Sequence, residues 1–361
     1  MLRTSIVKIN PCQPEKTPLK QAATIIKNGG LVAFPTETVY GLGANAINPT
    51  ATNAVYSVKG RPHDNPLIWH VNSITELSPH VDIDFNRCKT ALNAAKITAT
   101  TPMLLELIAK LFENSVTLVL PITPKNANVL TNTLAVRTPQ SPIAQALIAE
   151  SGCIIAAPSA NTSGKPSPTC AAHVAQDLTG KIAMILDGGP TKKGLESTVI
   201  ALCGEKPELL RPGAATVQTI SNVFFTLFAQ DISELLADFN NFNNSNDSND
   251  SNDSNSSSTE KPISPGMKYR HYSPDTPLIL LIGTPEAVSQ KITQIGEQEK
   301  TAILRTCNMS LEKLAQTLFF KLREFDEQNV EKIIVEGVAE TGLGLAIMNR
   351  LKKAAAEVII L

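Results

Sequence analysis

The sequence predicts an α/β protein of two domains, a larger N-terminal α/β-sheet domain and a small C-terminal doubly wound, Rossmann-like one. Three observations lead there. The chain has 361 residues, more than one ordinary core accommodates. Between 240 and 258 nearly every residue is Asn, Ser or Asp, and such a tract has too little to bury to offset the entropy of ordering. Beyond that tract, apolar strand runs and helical patterns alternate regularly. The expected division is a larger N-terminal domain over 10–225, a linker with the polar insertion over 226–276, and a C-terminal domain over 277–361.

The elements follow in order. Residues 17–28 have helical spacing closed by Gly29-Gly30, and the apolar strand 31–34 follows at once. A short helix is expected over 53–59, and strands over 67–72, 117–121 and 134–137. A helix over 143–151 stops at Gly152, and a buried strand over 153–157 runs into a Ser- and Pro-rich loop, 158–168. Strands at 182–186 and 198–202 complete this half. In the second half, strands are expected at 278–282, 301–304, 332–336 and 358–361, with helices over 285–295, 311–328 and 345–356.

Composition narrows the function. Lys and Arg number 32 against 33 Asp and Glu, so any basic site must be a local concentration of charge. Aromatic residues make up 4%, too few for a stacking platform for single-stranded nucleic acid. The six cysteines are scattered without a C-x-x-C pair, which speaks against a disulfide framework or structural zinc and for buried free thiols. Residues 1–10 carry no apolar core of signal-peptide length, and the longest apolar stretches are too short to span a bilayer. A soluble, cytoplasmic protein is the expectation.

The chemistry is expected on loops just outside apolar strands. A P-loop pattern is missing, and Gly342-Leu343-Gly344 lacks the third glycine and the strand of a dinucleotide fingerprint. The segment 34–43 packs hydroxyls, a carboxylate and two glycines into what reads as one turn. Lys59-Gly60-Arg61-Pro62 places two cations at a helix–strand junction, suited either to clamping phosphates or to a solvated surface. The loop 158–168 is dense in short hydroxyl and amide donors. Glu196-Ser197-Thr198 and Leu210-Arg211-Pro212-Gly213 add another cation beside a rigid turn. Arg137 ends a strand, where a guanidinium binds a carboxylate ligand or serves in a structural ion pair. Cations and hydroxyls without a nucleophile, triad or metal cage suit an adenylate-forming reaction, in which positioning and charge neutralisation dominate.

These same segments carry a resemblance. Pro35-Thr36-Glu37-Thr38-Val39-Tyr40-Gly41-Leu42, Lys59-Gly60-Arg61-Pro62 with Asn65-Pro66-Leu67, Ser159-Ala160-Asn161-Thr162-Ser163-Gly164 and Glu196-Ser197-Thr198-Val199 together resemble the YrdC-like threonylcarbamoyl-AMP synthases. Ser264-Pro265-Gly266-Met267-Lys268-Tyr269-Arg270-His271-Tyr272-Ser273-Pro274 looks like the interdomain linker of their long form, and 342–351 like the end of its C-terminal domain. The polar tract and Trp69, in place of a smaller aliphatic residue, depart from the pattern. On a strand, Trp69 should point away from His70.

The resemblance implies a YrdC-like twisted α/β sheet and a reaction. Threonine, bicarbonate (or CO2) and ATP give threonylcarbamoyl-AMP and pyrophosphate, the first step of N6-threonylcarbamoyladenosine formation in tRNA. A separate tRNA threonylcarbamoyl transferase machinery consumes the product, and a weak contact with tRNA is a further expectation. It implies Lys59, Arg61 and Arg211 for the charge of the ATP phosphates, with Lys59 and Arg61 in the catalytic role. Asn65, Thr133, Ser159, Asn161, Ser167 and Tyr272 are implied as further ATP contacts. Thr38, His70, Arg137 and Ser197 are implied for threonine, and Mg2+ for the phosphates without a protein cage. The linker motif reads either as a basic surface segment or as a lid that keeps water from a labile anhydride. A non-catalytic double-stranded RNA or tRNA binding module is the alternative, against which the neutral overall charge weighs. An enzyme acting on another carbamoyl compound is a third reading.

Overall fold

The structure is a computed structural model that describes residues 2–125, 129, 131–237, 271–296 and 300–361. The polar tract 240–258 and the first part of the linker motif, 264–270, lie outside the described residues.

Among the described residues fifteen strands form two sheets. The first sheet takes β1 (Ser5–Lys8), β2 (Val32–Pro35), β3 (Tyr40–Asn45), β4 (Trp69–His70), β5 (Val81–Ile83), β6 (Val116–Pro124), β7 (Thr133–Arg137), β8 (Ile155–Ala156), β9 (Met184–Asp187), β10 (Thr198–Ala201) and β11 (Glu208–Arg211). Their order is β1-β9-β2-β3-β8-β4-β7-β6-β10-β11, with β5 paired on β6, and parallel and antiparallel pairs are mixed. Successive residues of a strand face opposite sides, and the packing obeys this. Ala33 enters the largest core while Val32 and Phe34 enter a second one beneath the helices Lys16–Lys27 and Pro142–Ser151. The helices Val217–Phe228 and Ser233–Ala237 pack on the largest core too, through Ile220, Phe224 and Leu236, with Ile232 just ahead of the second helix.

The second sheet is wholly parallel: β12 (Leu278–Ile282), β13 (Thr301–Leu304), β14 (Lys332–Glu336) and β15 (Glu357–Ile360), in the order β13-β14-β12-β15. The helix Pro285–Gly296 packs through Val288 and Ile292 on one face, against Leu281 and Ile334. The helices Leu311–Glu327 and Leu343–Ala354 cover the other, against Leu280, Ile333 and Val335.

The two halves are bolted together. Arg323 reaches Asp177 across the boundary at 2.8 and 3.1 Å and donates twice to the Pro166 carbonyl. Leu195, from the first half, is fully buried in the core of the second. Beside it Gly194 has φ +76°, and a Cβ there would meet the Ala315 carbonyl oxygen and Gln316 Cα at 2.4 Å. Only glycine fits that approach.

Several expectations need correction. The turn read over 34–43 is shorter: from Tyr40 the chain is already β3, paired with β2 through Pro35 and Tyr40, because Gly41 and Gly43 disguise a strand. The expected helix 53–59 starts at Pro49, where Asn48 accepts from the amides of Thr50 and Ala51 at 3.0 and 3.2 Å. The expected strands 67–72 and 153–157 shrink to two residues each, the pair Trp69–His70 and Ile155–Ala156. All six cysteines are free, but only Cys88 is buried, and Cys12 and Cys307 are exposed.

Candidate active site

An open cavity, with about 710 Å³ of empty space counting the part continuous with solvent, lies between the strand ends of the first sheet and the start of the second half. Its floor is β3, β4 and the loop after β8, and its walls are the ends of β7 and β11. Trp69 enters the main core while His70 lines the cavity, as alternation on β4 requires.

One end is built from the turn between β2 and β3. Thr36 Oγ1 stands 2.7 Å from Thr38 Oγ1 and donates to the Val39 carbonyl, which ties the turn to itself. The loop 188–197 clamps it from outside, with Lys193 N–H donating to the Glu37 carbonyl and Gly194 N–H to that of Thr38. Arg137, the last residue of β7, forms a buried ion pair with Glu37, and its Nη1 donates to Thr38 Oγ1 at 3.2 Å. Glu37 also accepts from the Gln140 amide at 2.9 Å. Arg137 Nε is buried and has no hydrogen-bond partner among the described residues. The structural ion pair expected as one alternative for Arg137 is thus present, and one donor of the guanidinium remains over. His70 Nδ1 lies 3.1 Å from the Ile68 carbonyl, an acceptor, so this nitrogen carries the proton. Burial first, then the Arg137 charge, pushes the imidazole down to about 3, and the ring is neutral.

The other end collects cations from three elements. The helix Pro49–Lys59 closes at Gly60 in the left-handed region, φ +61°, which delivers Lys59 as its last residue and turns the chain toward Arg61. Lys59 Nζ faces three oxygens: the Ser159 carbonyl at 2.5 Å, the Asn161 carbonyl, and Asn161 Oδ1 at 3.4 Å. Burial, then Arg61, pushes this amine well below its ordinary value. Three acceptors nevertheless require three hydrogens, which only the ammonium form supplies. Arg61 donates to the Asn65 carbonyl, to Asn65 Oδ1 at 2.6 Å and to the Pro66 carbonyl, and burial lowers it only to about 10. Arg211 ends β11 and donates to the Ser197 carbonyl at 2.8 Å. Among the described residues, none of these three cations forms an ion pair with a carboxylate.

Tyr272 roofs the cavity. It is buried at φ +68°, stacks on Phe319 with ring centroids 5.5 Å apart, and lies 5.3 Å from the Arg350 guanidinium. His271 beside it lines the same space, and its buried Nε2 has no partner among the described residues. Beneath, Glu196 accepts from Ser167 at 2.5 Å and forms an ion pair with Arg350 of the second half at 2.9 Å. Ser197 Oγ lies 2.7 Å from Thr117 Oγ1.

Of the residues expected in the site, Thr38, Lys59, Arg61, His70, Arg137, Ser159, Asn161, Ser167, Ser197, Arg211 and Tyr272 line this one cavity. Asn65 does not line it and stands behind Arg61 as its acceptor. Thr133 begins β7 at the opposite end from Arg137 and does not line it either. Tyr40, Ser163 and Glu196 line it without having been singled out for a role. Glu37 and Arg350 lie behind it as partners of Arg137 and Glu196, and nothing in the local sequence marks those long-range pairings. Among the described residues no group of three His, Cys, Asp or Glu side chains could hold a metal ion, and no helix is long and apolar enough to cross a membrane.

Comparisons with known proteins agree on one family. A family model described as telomere recombination matches residues 24–213, and one described as the C-terminal domain of threonylcarbamoyl-AMP synthase matches 216–356. Threonylcarbamoyl-AMP synthase of Bacillus subtilis is 41% identical over 93% of this chain and 92% of its own length. The enzyme of that name from Pyrococcus abyssi is 40% identical over 96% of both chains. The crystal structure of P. abyssi Sua5 complexed with L-threonine superposes with a TM-score of 0.78 at 38% identity, covering 99% of each chain.

Proposed function

The chain belongs to the two-domain threonylcarbamoyl-AMP synthases, and from that premise we propose that its cavity joins L-threonine, bicarbonate and ATP into threonylcarbamoyl-adenylate and pyrophosphate. The observation that carries the reading is the division of charge within one cavity. Among the described residues, a buried guanidinium with a donor left over stands at one end, and three cations without carboxylate partners stand at the other. An α-amino acid brings one carboxylate, and a nucleoside triphosphate brings several negative charges.

Arg137, held in orientation by Glu37 and Thr38, takes the threonine carboxylate, with neutral His70 and Ser197 around the rest of the amino acid. Threonine's amine attacks the carbon of bicarbonate (or CO2) and forms a carbamate, with water lost from bicarbonate. A carbamate oxygen then attacks the α-phosphorus of ATP. The bond from that phosphorus to the bridging oxygen breaks, and pyrophosphate leaves with the electron pair. Charge grows on the departing oxygens, where Lys59, Arg61 and Arg211 stand. Ser159, Asn161, Ser167 and Tyr272 surround the nucleotide. Magnesium enters as part of the nucleotide substrate: both buried carboxylates at the cavity already face guanidiniums, so phosphate oxygens and water would be its ligands. His271 and Tyr272, the described end of the linker motif, close the cavity against water, which would hydrolyse the mixed anhydride. The product passes in the cytoplasm to a transferase that modifies tRNA.

Incubation of the purified chain with ATP, magnesium, bicarbonate and L-threonine tests the reading, with pyrophosphate and the adenylate as readouts. Pyrophosphate release that needs both threonine and bicarbonate, with the adduct detected by mass spectrometry, is expected. A folded protein that binds RNA in a salt-dependent way and leaves ATP untouched would overturn it.

A further inference from the structure

Arg350 is the largest fully buried side chain among the described residues, and it belongs to the half of the molecule that does not carry the cavity floor. We propose that Arg350 is a positioning residue for the nucleotide site: it holds Glu196 as a carboxylate, and Glu196 in turn holds Ser167 as a hydrogen-bond acceptor that reads a donor group on the nucleoside. The inference rests on the nucleotide reading of the cavity given above.

The geometry fixes each link. Arg350 Nε donates to Glu196 Oε2 at 3.0 Å, its Nη2 lies 2.9 Å from the same oxygen, and Nη1 donates to the Pro212 carbonyl. That occupies Oε2 and leaves Oε1 for the Ser167 hydroxyl at 2.5 Å. A carboxylate only accepts, so the Ser167 hydrogen lies on that bond and its oxygen offers lone pairs to the cavity. Phosphate oxygens are acceptors too and cannot pair with it. The donors of ATP are the adenine 6-amino group and the ribose hydroxyls, and one of these is what Ser167 reads.

Charge around Glu196 shows what Arg350 contributes. Burial by itself would raise this carboxyl, but Arg350, then Arg211 and the Ser167 hydroxyl, outweigh it and hold the carboxyl below its ordinary range. Without Arg350, burial has less to oppose it. A protonated Glu196 would donate to Ser167, turn the hydroxyl hydrogen outward and invert what the site presents. The other groups facing Glu196 hold their charge at working pH. Arg211 remains cationic, His271 is held down to about 4 by burial and Arg61, and burial raises Tyr272.

Full-length wild type, R350M, R350K and E196Q are compared by titration with ATP between about pH 5.5 and 8, a window in which an unperturbed carboxylate stays ionised. Wild type is the reference at each pH, because the terminal phosphate of ATP itself takes up a proton toward the acid end, and each variant is read as its ratio to wild type. R350M should weaken about tenfold toward the acid end, with the KM for threonine unchanged, the size of one lost hydrogen bond. R350K should recover most of the loss. E196Q, whose amide donates to Ser167 at every pH, should be weak throughout and free of the pH trend. Inosine triphosphate, 2′-deoxy-ATP and 3′-deoxy-ATP identify the donor: wild type should bind one of them about tenfold less well than ATP, and E196Q should lose that discrimination. Equal weakening of R350M at all pH values, or an equal rise in the threonine KM, would reduce Arg350 to packing and overturn the proposal. So would a wild type indifferent to all three analogues. Should R350M fail to fold, E196Q and the analogue panel decide alone. A wild type that binds ATP without threonine-dependent turnover would sink the reaction proposed above, while the ATP titrations would still judge this inference.

Discussion

The two ends of the cavity handle buried charge in opposite ways. At the Arg137 end the cation already has its counter-charge, Glu37, and a neutral histidine beside it. At the Lys59 end, backbone carbonyls and amide oxygens cradle the cations without cancelling them. Carbonyl dipoles stabilise a buried cation while leaving its net charge to act on whatever enters. The first end is therefore built for orientation of a singly charged group, and the second for attraction of a multiply charged one.

Substitutions at each end break or sharpen that contrast. The largest effect is expected at the carbonyl-cradled end. Lys59→Met should lower kcat/KM for ATP about a thousandfold in a pyrophosphate-release assay, the scale of losing a group aimed at developing charge. A loss below about tenfold would make the cradle a mere tie between the helix Pro49–Lys59 and the loop at Ser159. Next comes Arg137→Ala. Steady-state kinetics should show the threonine KM raised about a hundredfold, as for a lost charge-assisted pair, and the ATP KM nearly unmoved. An unchanged threonine KM would return Arg137 to its ion pair alone.

The smallest effect concerns His70. Its ordinary value of 6.5 falls to about 3 in the folded chain. The unfolded chain therefore takes up the proton first, and stability present above the ordinary value is lost as pH falls toward the folded one. The slope reaches about 1.4 kcal/mol per pH unit for one such group. Denaturant unfolding at several pH values between 4 and 6.5 should show a shallower slope for His70→Asn, since His173 and His271 remain in both proteins. Coincident slopes would mean that the ring is charged in the folded state and that the Arg137 end is not the neutral-sided pocket described here.

Legibility in the sequence followed local signal strength. Strands β12, β13 and β14 occupy the residues that their apolar runs predict: β12 and β14, inside a parallel sheet covered on both faces, read as continuous apolar stretches, while in the edge strand β13 Ala302 and Leu304 are buried and Ile303 is exposed. The helix Thr101–Glu113 was legible too, with Thr100 as cap and Leu104, Leu107, Ile108 and Leu111 on one buried face, although no expectation was attached to it. Strand β3 was not, because glycines at 41 and 43 remove its alternation. At the site, cations beside glycine and proline announced themselves. The long-range ion pairs behind the cavity did not: Glu37 meets Arg137 across 100 residues of sequence, and Glu196 meets Arg350 across 154.

Gly194 and Leu195 give the molecule a constraint of inheritance. The loop that clamps the Thr36–Thr38 turn is shaped to one particular helix, Leu311–Glu327, and leaves no room for a side chain at its closest point. Exchanging the C-terminal halves of two family members whose counterparts of that helix differ would press directly on the turn that supports Arg137. A functional chimera would need the loop 188–197 to travel with the C-terminal half, so the natural unit of recombination crosses the domain boundary.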